Sequence, residues 1–222
     1  MKLLDLFTIC DDQEGYQTVG HDVNYKFKED GRSLQIYFSG SSSVTDWIRN
    51  FLFGKRPYKD MKIPYRVHRG FLAAWKEVED IIIAKVTERE SPASEEYKWN
   101  DITVVGYSHG GALCQFALEA AWYYRPDIRD TNLRGYAFES PRIFAQWRIS
   151  DELAKRWKNL TVIQTNNDIV PHCPPVIFRY RSLGNKLKVK GDISLVEGWY
   201  PKCIKSHFPQ VVKDALSKYE PE

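Results

Sequence analysis

The sequence predicts an α/β fold in which a mostly parallel central sheet is flanked by helices. Short apolar runs of strand length alternate along the chain with segments whose apolar residues recur at helical spacing. This alternation is typical of a sheet that is covered by helices on both faces. The chain has 222 residues, of which 43% are hydrophobic, so we expect a single domain with a substantial core over residues 1–222.

The individual elements are predicted from the spacing of apolar residues. Residues 22–27 and 34–38 alternate apolar and polar side chains on either side of Glu29-Asp30-Gly31, which indicates a β-hairpin. A short apolar run that leads into Gly106 predicts a buried parallel strand at Asp101–Tyr107. The remaining predictions are helices at 70–90, 110–124, 144–157 and 208–219, strands at 133–138 and 160–164, and two short strands within 176–189.

Charge and composition exclude several functional classes. The net charge is +3, and basic and acidic residues are interleaved, so the basic stripe that a nucleic-acid partner requires is missing. The sequence contains no run near the roughly 18 apolar residues that span a bilayer, and no signal peptide is recognisable. The cysteines are widely spaced and form no CxxC motif, which predicts neither a zinc site nor a disulfide framework. We therefore expect a cytoplasmic protein.

Gly106-Tyr107-Ser108-His109-Gly110 is a G-x-S-x-G pentapeptide between the predicted strand and the next helix. A strand–turn–helix setting is what the nucleophile elbow of the α/β-hydrolase fold requires. The turn forces Ser108 into a strained conformation, and the flanking glycines remove side chains where strand and helix approach each other. The pentapeptide therefore predicts Ser108 as a catalytic nucleophile rather than part of a glycine-rich connection.

A serine nucleophile needs a histidine base to take its proton. In this fold the chain order is serine, then acid, then histidine, which leaves His172 and His207 as candidates. His207 precedes the closing helix in a separate loop and is favoured, but the residues alone keep His172 open. The order excludes the other three histidines: His21, His68 and His109.

The acid that orients the base is expected in a loop after a late strand. Asp168 follows the predicted strand 160–164 by a few residues and is the favoured candidate. Asp192 and Glu197 remain weaker alternatives.

Several segments, in the right order, resemble the class 3 lipase family, the fungal-type triacylglycerol lipases and their bacterial relatives. The Ser108 motif, which continues to Gly111-Ala112, is similar to the family's G-H-S-L-G-G-A. Phe138-Glu139-Ser140-Pro141-Arg142 resembles its T-F-G-x-P-R. The other matching segments are 36–43 with Asp46-Trp47, 67–71, 167–175 and 206–208.

The resemblance implies an α/β-hydrolase fold and a catalytic triad of Ser108, Asp168 and His207. It also implies an oxyanion hole formed by Ser41 and by the backbone N–H of His109. His172 and His68 would then be structural residues, and the activity would require no metal or organic cofactor.

The sequence departs from the family pattern at three places. Ser39 replaces the usual arginine, and Tyr107 and His109 replace the common histidine and leucine around the nucleophile. The region between Asp46 and Tyr65, where the family carries its lid, is short and rich in charged residues. A polar His109 and a short lid favour small or lysolipid esters as substrates.

We therefore predict a serine esterase or lipase that hydrolyses carboxylic esters through an acyl-enzyme intermediate. Its partner would be a small-molecule or lipid ester, with at most a transient contact with a lipid interface. The alternatives are a phospholipase, lysophospholipase or thioesterase with the same triad, and a lipase-like binding protein without catalysis.

Overall fold

A seven-stranded sheet forms the centre of the protein in the computed structural model, which describes residues 2–40, 54–59 and 64–219. Its strands in chain order are β1 (Gln17–Val19), β2 (Val23–Asp30), β3 (Ser33–Phe38), β6 (Asp101–Tyr107), β7 (Leu133–Phe138), β8 (Leu160–Thr165) and β9 (Asn185–Val189). They lie side by side in this same order; β1 to β3 are antiparallel, whereas β3, β6, β7, β8 and β9 are parallel. The mostly parallel sheet is confirmed. A separate antiparallel pair comprises β4 (Lys55–Tyr58) and β5 (Tyr65–His68).

The helices of the described ranges are α1 (Leu3–Asp11), α2 (Arg69–Val86), α3 (His109–Tyr124), α4 (Asp151–Ala154), α5 (Lys202–Lys205) and α6 (Pro209–Ser217). Single turns of 3-10 helix lie at Lys155–Trp157, Val170–His172, Val176–Phe178 and Ile193–Leu195. Among these helices, none is long and apolar enough to cross a membrane.

Helices cover both faces of the sheet. The side chains of a strand alternate between its two faces, so a buried strand presents apolar residues to helices on both sides. Ile102 and Val104 of β6 belong to the cluster that contains the apolar faces of α2 and α3. Val105 and Tyr107 of the same strand belong to the opposite cluster, with apolar residues of α1 and α6. The strand that leads to Ser108 is therefore buried on both sides.

Two predicted elements differ from the structure. The helix predicted at 144–157 is short: Phe144 makes isolated β-bridges, and α4 begins only after Ser150, whose side chain accepts a hydrogen bond from the Leu153 N–H. Ser150 is thus an N-cap that sets the start of the helix. The region 176–189 contains one strand, β9, preceded by a turn of 3-10 helix, instead of two strands.

Candidate active site

Ser108 occupies a sharp turn between β6 and α3. Its backbone has φ 54° and ψ −118°, a strained conformation for a residue with a side chain. A Cβ atom on Gly106 would lie 2.1 Å from the Gly110 carbonyl oxygen, and one on Gly110 would lie 2.2 Å from that of Phe38. Only glycine fits at both positions, so the predicted strand–turn–helix geometry is present.

Three buried side chains meet at this turn. His207 Nε2 lies 2.8 Å from Ser108 Oγ, and His207 Nδ1 lies 2.6 Å from Asp168 Oδ2. Because the carboxylate can only accept from Nδ1–H, Nε2 is left as an acceptor for the serine hydroxyl. The structure thus brings together the three residues that the sequence predicts as a triad, from the ends of β6 and β8 and from the loop between α5 and α6.

Hydrogen bonds join the loop of Asp168 to the loop of His207. The Thr165 hydroxyl, at the end of β8, donates to the Ser206 carbonyl at 2.7 Å, and the Ile169 N–H donates to the Cys203 carbonyl at 3.2 Å. The Val170 N–H donates to Asp168 Oδ1 at 2.9 Å. These bonds set the orientation of the carboxylate and the position of the loop that leads to the histidine.

Tyr107 packs on His207 and contacts its backbone, which the sequence analysis did not foresee. Its ring stacks on the His207 ring with a centroid separation of 5.3 Å and an interplanar angle of 22°. Its hydroxyl donates to the His207 backbone carbonyl. The signal in the sequence was that Tyr107 replaces the histidine common at this position. What the tyrosine contacts depends on the loop of His207, which packs above it.

Glu139 is a second residue that the sequence analysis did not assign to the site. It lies directly after β7, is fully buried and has φ 49°. Its Oε1 accepts the Thr165 N–H at 2.6 Å, and its carboxyl contacts that of Asp168. The available signal was its position at the carboxyl end of the strand next to β6, where functional residues of α/β sheets collect.

The two neighbouring carboxyl groups have pKa values that move in opposite directions. Burial raises the pKa of Glu139 well above its ordinary value, and the negative charge of Asp168 raises it further. Burial would also raise the pKa of Asp168, but its electrostatic attraction to His207 and the hydrogen bonds from Glu139 and His207 outweigh it and lower that pKa. Asp168 is therefore the ionised member of the pair.

Of the two predicted oxyanion-hole residues, His109 lies among the described residues. His109 is the first residue of α3, where backbone N–H groups have no acceptor within the helix. Its ring is buried and packs against Phe71 with centroids 5.7 Å apart, and burial lowers its pKa, so it is neutral. Ser41 and most of the predicted lid segment lie outside the described residues.

The other histidines and acids named in the sequence analysis lie outside the hydrogen-bonded chain of Ser108, His207 and Asp168. The carbonyl of His172 accepts a hydrogen bond from Arg142 at 2.8 Å, and His68 Nδ1 accepts the Phe71 N–H at the start of α2. Asp192 accepts the Ser194 N–H at 2.9 Å, and Glu197 is exposed.

Glu139, Asp168 and His207 also form the one described group whose donor atoms, all within 4.8 Å, could surround a metal ion. Both ring nitrogens of His207 are already engaged, by Asp168 and by Ser108. A metal would have to displace one of these partners, so the arrangement suits proton transfer better than metal binding.

The fold and the turn at Ser108 are those of the α/β hydrolases. A native Rhizomucor miehei lipase propeptide complex superposes with a TM-score of 0.62 at 23% identity, covering 92% of this chain and 68% of that chain. A lipase from Rhizopus microsporus var. chinensis superposes with a TM-score of 0.60 at 22% identity, covering 79% and 60%.

Sequence comparison places the chain in a family. The family described as lipase (class 3) matches residues 35–178. A secreted mono- and diacylglycerol lipase 1 from Fusarium solani is 33% identical over 154 residues, which are 68% of this chain and 42% of that protein. A Rhizomucor miehei lipase is 29% identical over 159 residues, 70% and 41%. The chain belongs to the class 3 lipase family and spans about two fifths of the length of these relatives.

The prediction of a cytoplasmic location is wrong. Relatives from Fusarium solani and Malassezia globosa are named as secreted lipases, which contradicts that prediction. The prediction relied on the absence of a recognisable signal peptide in the sequence. The cysteines Cys10, Cys114, Cys173 and Cys203 are free. Because a domain of this length can bury a substantial core, free cysteines do not identify a reducing compartment.

Proposed function

We propose that this protein hydrolyses carboxylic esters, with Ser108 as the nucleophile, His207 as the general base and Asp168 as the acid that orients it. The observation that carries the proposal is the continuous hydrogen-bonded chain from Ser108 Oγ through His207 to Asp168 in a buried turn. The strained backbone of Ser108 supports it, because strain of this kind concentrates at functional sites.

In the proposed mechanism His207 Nε2 takes the hydroxyl proton while Ser108 Oγ attacks the ester carbonyl carbon. The tetrahedral oxyanion accepts a hydrogen bond from the His109 backbone N–H at the N-terminus of α3. We assign the second hydrogen-bond donor to Ser41. The intermediate collapses as His207 returns the proton to the leaving alcohol. Water then releases the acyl group by the same steps, and Asp168 stabilises the imidazolium in both halves.

For the substrate we propose an acyl ester of the lipid type, because relatives in the same family are named as lipases and as a mono- and diacylglycerol lipase. The phospholipase, lysophospholipase and thioesterase alternatives keep the same triad. Rates on a series of esters of increasing chain length, a phospholipid panel and an acyl thioester separate them. Faster turnover of long-chain emulsions than of soluble short esters would contradict the preference for small or lysolipid esters.

The triad is tested by labelling with a fluorophosphonate probe and locating the modified peptide by mass spectrometry. We expect modification at Ser108 and a loss of kcat on the order of a million-fold in Ser108→Ala. Ser194→Ala, which removes an exposed hydroxyl, is the control and should label normally. An unlabelled protein that turns over no ester would favour the lipase-like binding protein without catalysis.

A further inference from the structure

Glu139 is fully buried. It forms no ion pair with lysine or arginine in the part of the chain that the structure describes. Its Oε2 is buried and receives no hydrogen-bond donor within those same residues. An ionised, unpaired carboxylate in such a place is costly, and so is a buried oxygen that makes no hydrogen bond.

Among the described residues, the groups that interact with Glu139 are the carboxyl of Asp168, the ring of His207, the phenol of Tyr107 on β6, and the backbone N–H and side chain of Thr165 on β8. Tyr107 is neutral, because burial raises its pKa well above the ordinary value. The negative charge nearest to Glu139 therefore belongs to Asp168. Two carboxyl groups in contact cannot both ionise easily, so one proton must lie between them.

We propose that Glu139 is a positioning residue of the active site, whose carboxylic acid donates a hydrogen bond to the Asp168 carboxylate and holds it towards His207 Nδ1. This inference rests on the triad proposed above. The pair carries one negative charge, enough to stabilise the imidazolium of His207. Asp168 then has three donors: the His207 Nδ1–H, the Val170 N–H and the acid of Glu139.

A neutral acid also explains the other contacts of Glu139. Its carbonyl oxygen accepts the Thr165 N–H, while its hydroxyl supplies the hydrogen that Oε2 otherwise lacks. Thr165 is the residue whose side chain ties β8 to the loop of His207. Glu139 thus connects the acid, the end of β8 and the base loop through one side chain.

Two variants of Glu139 test whether its side chain acts as a hydrogen-bond donor or only fills space. Glu139→Gly removes the carboxyl, and glycine suits the positive φ at this position. We expect kcat to fall roughly 10- to 100-fold with little change in KM, since a slightly misplaced catalytic group costs about that much. Glu139→Gln keeps a neutral side chain that accepts from Thr165 and donates to Asp168, so it should recover most of the kcat that the glycine variant loses.

Infrared difference spectroscopy detects the protonated carboxyl group of Glu139 directly, and it does not require the protein to be active. The wild type minus Glu139→Gln spectrum at pH 8 should contain the carbonyl stretch of a protonated carboxylic acid, at higher frequency than carboxylate bands. Absence of that band would overturn the proposal, as would unchanged kcat in Glu139→Gly or equal impairment of both variants. Ser108→Ala distinguishes the two proposals: if it keeps ester turnover the triad fails, whereas the infrared band still reports on Glu139.

Discussion

At the scale of single residues, the site depends on two side chains held at positive φ at the ends of neighbouring strands. Ser108 follows β6 with φ 54°, and Glu139 follows β7 with φ 49°. The Ser108 N–H donates to the Phe138 carbonyl at 2.9 Å, so the two turns support each other. A conformation that is unfavourable for each residue is thus maintained by the sheet, and it directs both side chains towards His207.

The raised pKa of Glu139 predicts a pH dependence of stability. Its protonated form stabilises the folded state fully below the ordinary value of 4.5, and this contribution is lost as pH rises towards the higher pKa of the folded protein. Glu139→Gln cannot ionise, so its free energy of unfolding should increase relative to the wild type between about pH 5 and pH 8. Urea denaturation of both proteins across this range measures the difference. A constant difference would mean that Glu139 titrates normally in the folded protein.

At the scale of secondary-structure elements, a buried polar network joins α3 to its neighbours. Glu119 on α3 pairs with Arg156 at 2.5 Å and accepts the Tyr65 hydroxyl of β5. Burial raises the pKa of Glu119 to about 7, against the opposing effects of Tyr65 and Arg156. The network lies within the apolar contacts of α3 and sets where this helix, which begins at the elbow, sits on the sheet.

Removing one member of this pair should destabilise the protein strongly. Glu119→Leu leaves the Arg156 guanidinium buried and unpaired, and we expect a loss of about 3–5 kcal/mol in the free energy of unfolding. The double variant Glu119→Leu/Arg156→Met should recover part of it, because neither member of the pair is then left as an unpaired buried charge, although the Tyr65 hydroxyl still loses its acceptor. Urea denaturation provides the measurement. Lys218→Met breaks the exposed pair with Asp214 and should cost no more than about 0.5 kcal/mol.

At the scale of the whole molecule, exposed apolar side chains occur in the segments that carry Asp168 and His207 of the proposed triad. Ile169 follows Asp168 directly, and Trp199 precedes Tyr200, whose ring packs on Phe208 next to His207. Trp199 is 96% exposed and Ile169 is 37% exposed. We propose that these side chains make the transient contact with a lipid interface, where tryptophan is favoured.

This contact predicts a difference between dispersed and soluble substrates. Trp199→Asp should reduce turnover of a lipid emulsion about tenfold, which corresponds to the apolar burial energy of one large side chain. Turnover of a soluble short ester by the same variant is the internal control and should stay at the wild-type rate. An equal loss on both substrates would place Trp199 in the fold or the active site rather than at an interface.

We further propose that residues 1–222 form one domain, since α1 and α6 pack in one cluster although they are distant in the chain.

The local parts of this architecture were predictable from the sequence. The hairpin, the strand at Asp101–Tyr107 and the turn at Ser108 depend on neighbouring residues, whose apolar spacing and glycines carry the signal.

The sequence by itself determined the α/β-hydrolase fold and the candidate nucleophile, favoured Asp168 and His207 over the alternative acids and bases, and implied these three residues as a triad through its family resemblance. Only the tertiary structure placed His207 Nε2 within 2.8 Å of Ser108 Oγ, shortened the helix expected at 144–157 and placed Glu139 against Asp168. The physical reason is distance along the chain: His207 and Ser108 are 99 residues apart, and their contact depends on how loops pack above the sheet. The protonation of Glu139 depends in turn on burial, which no local pattern specifies.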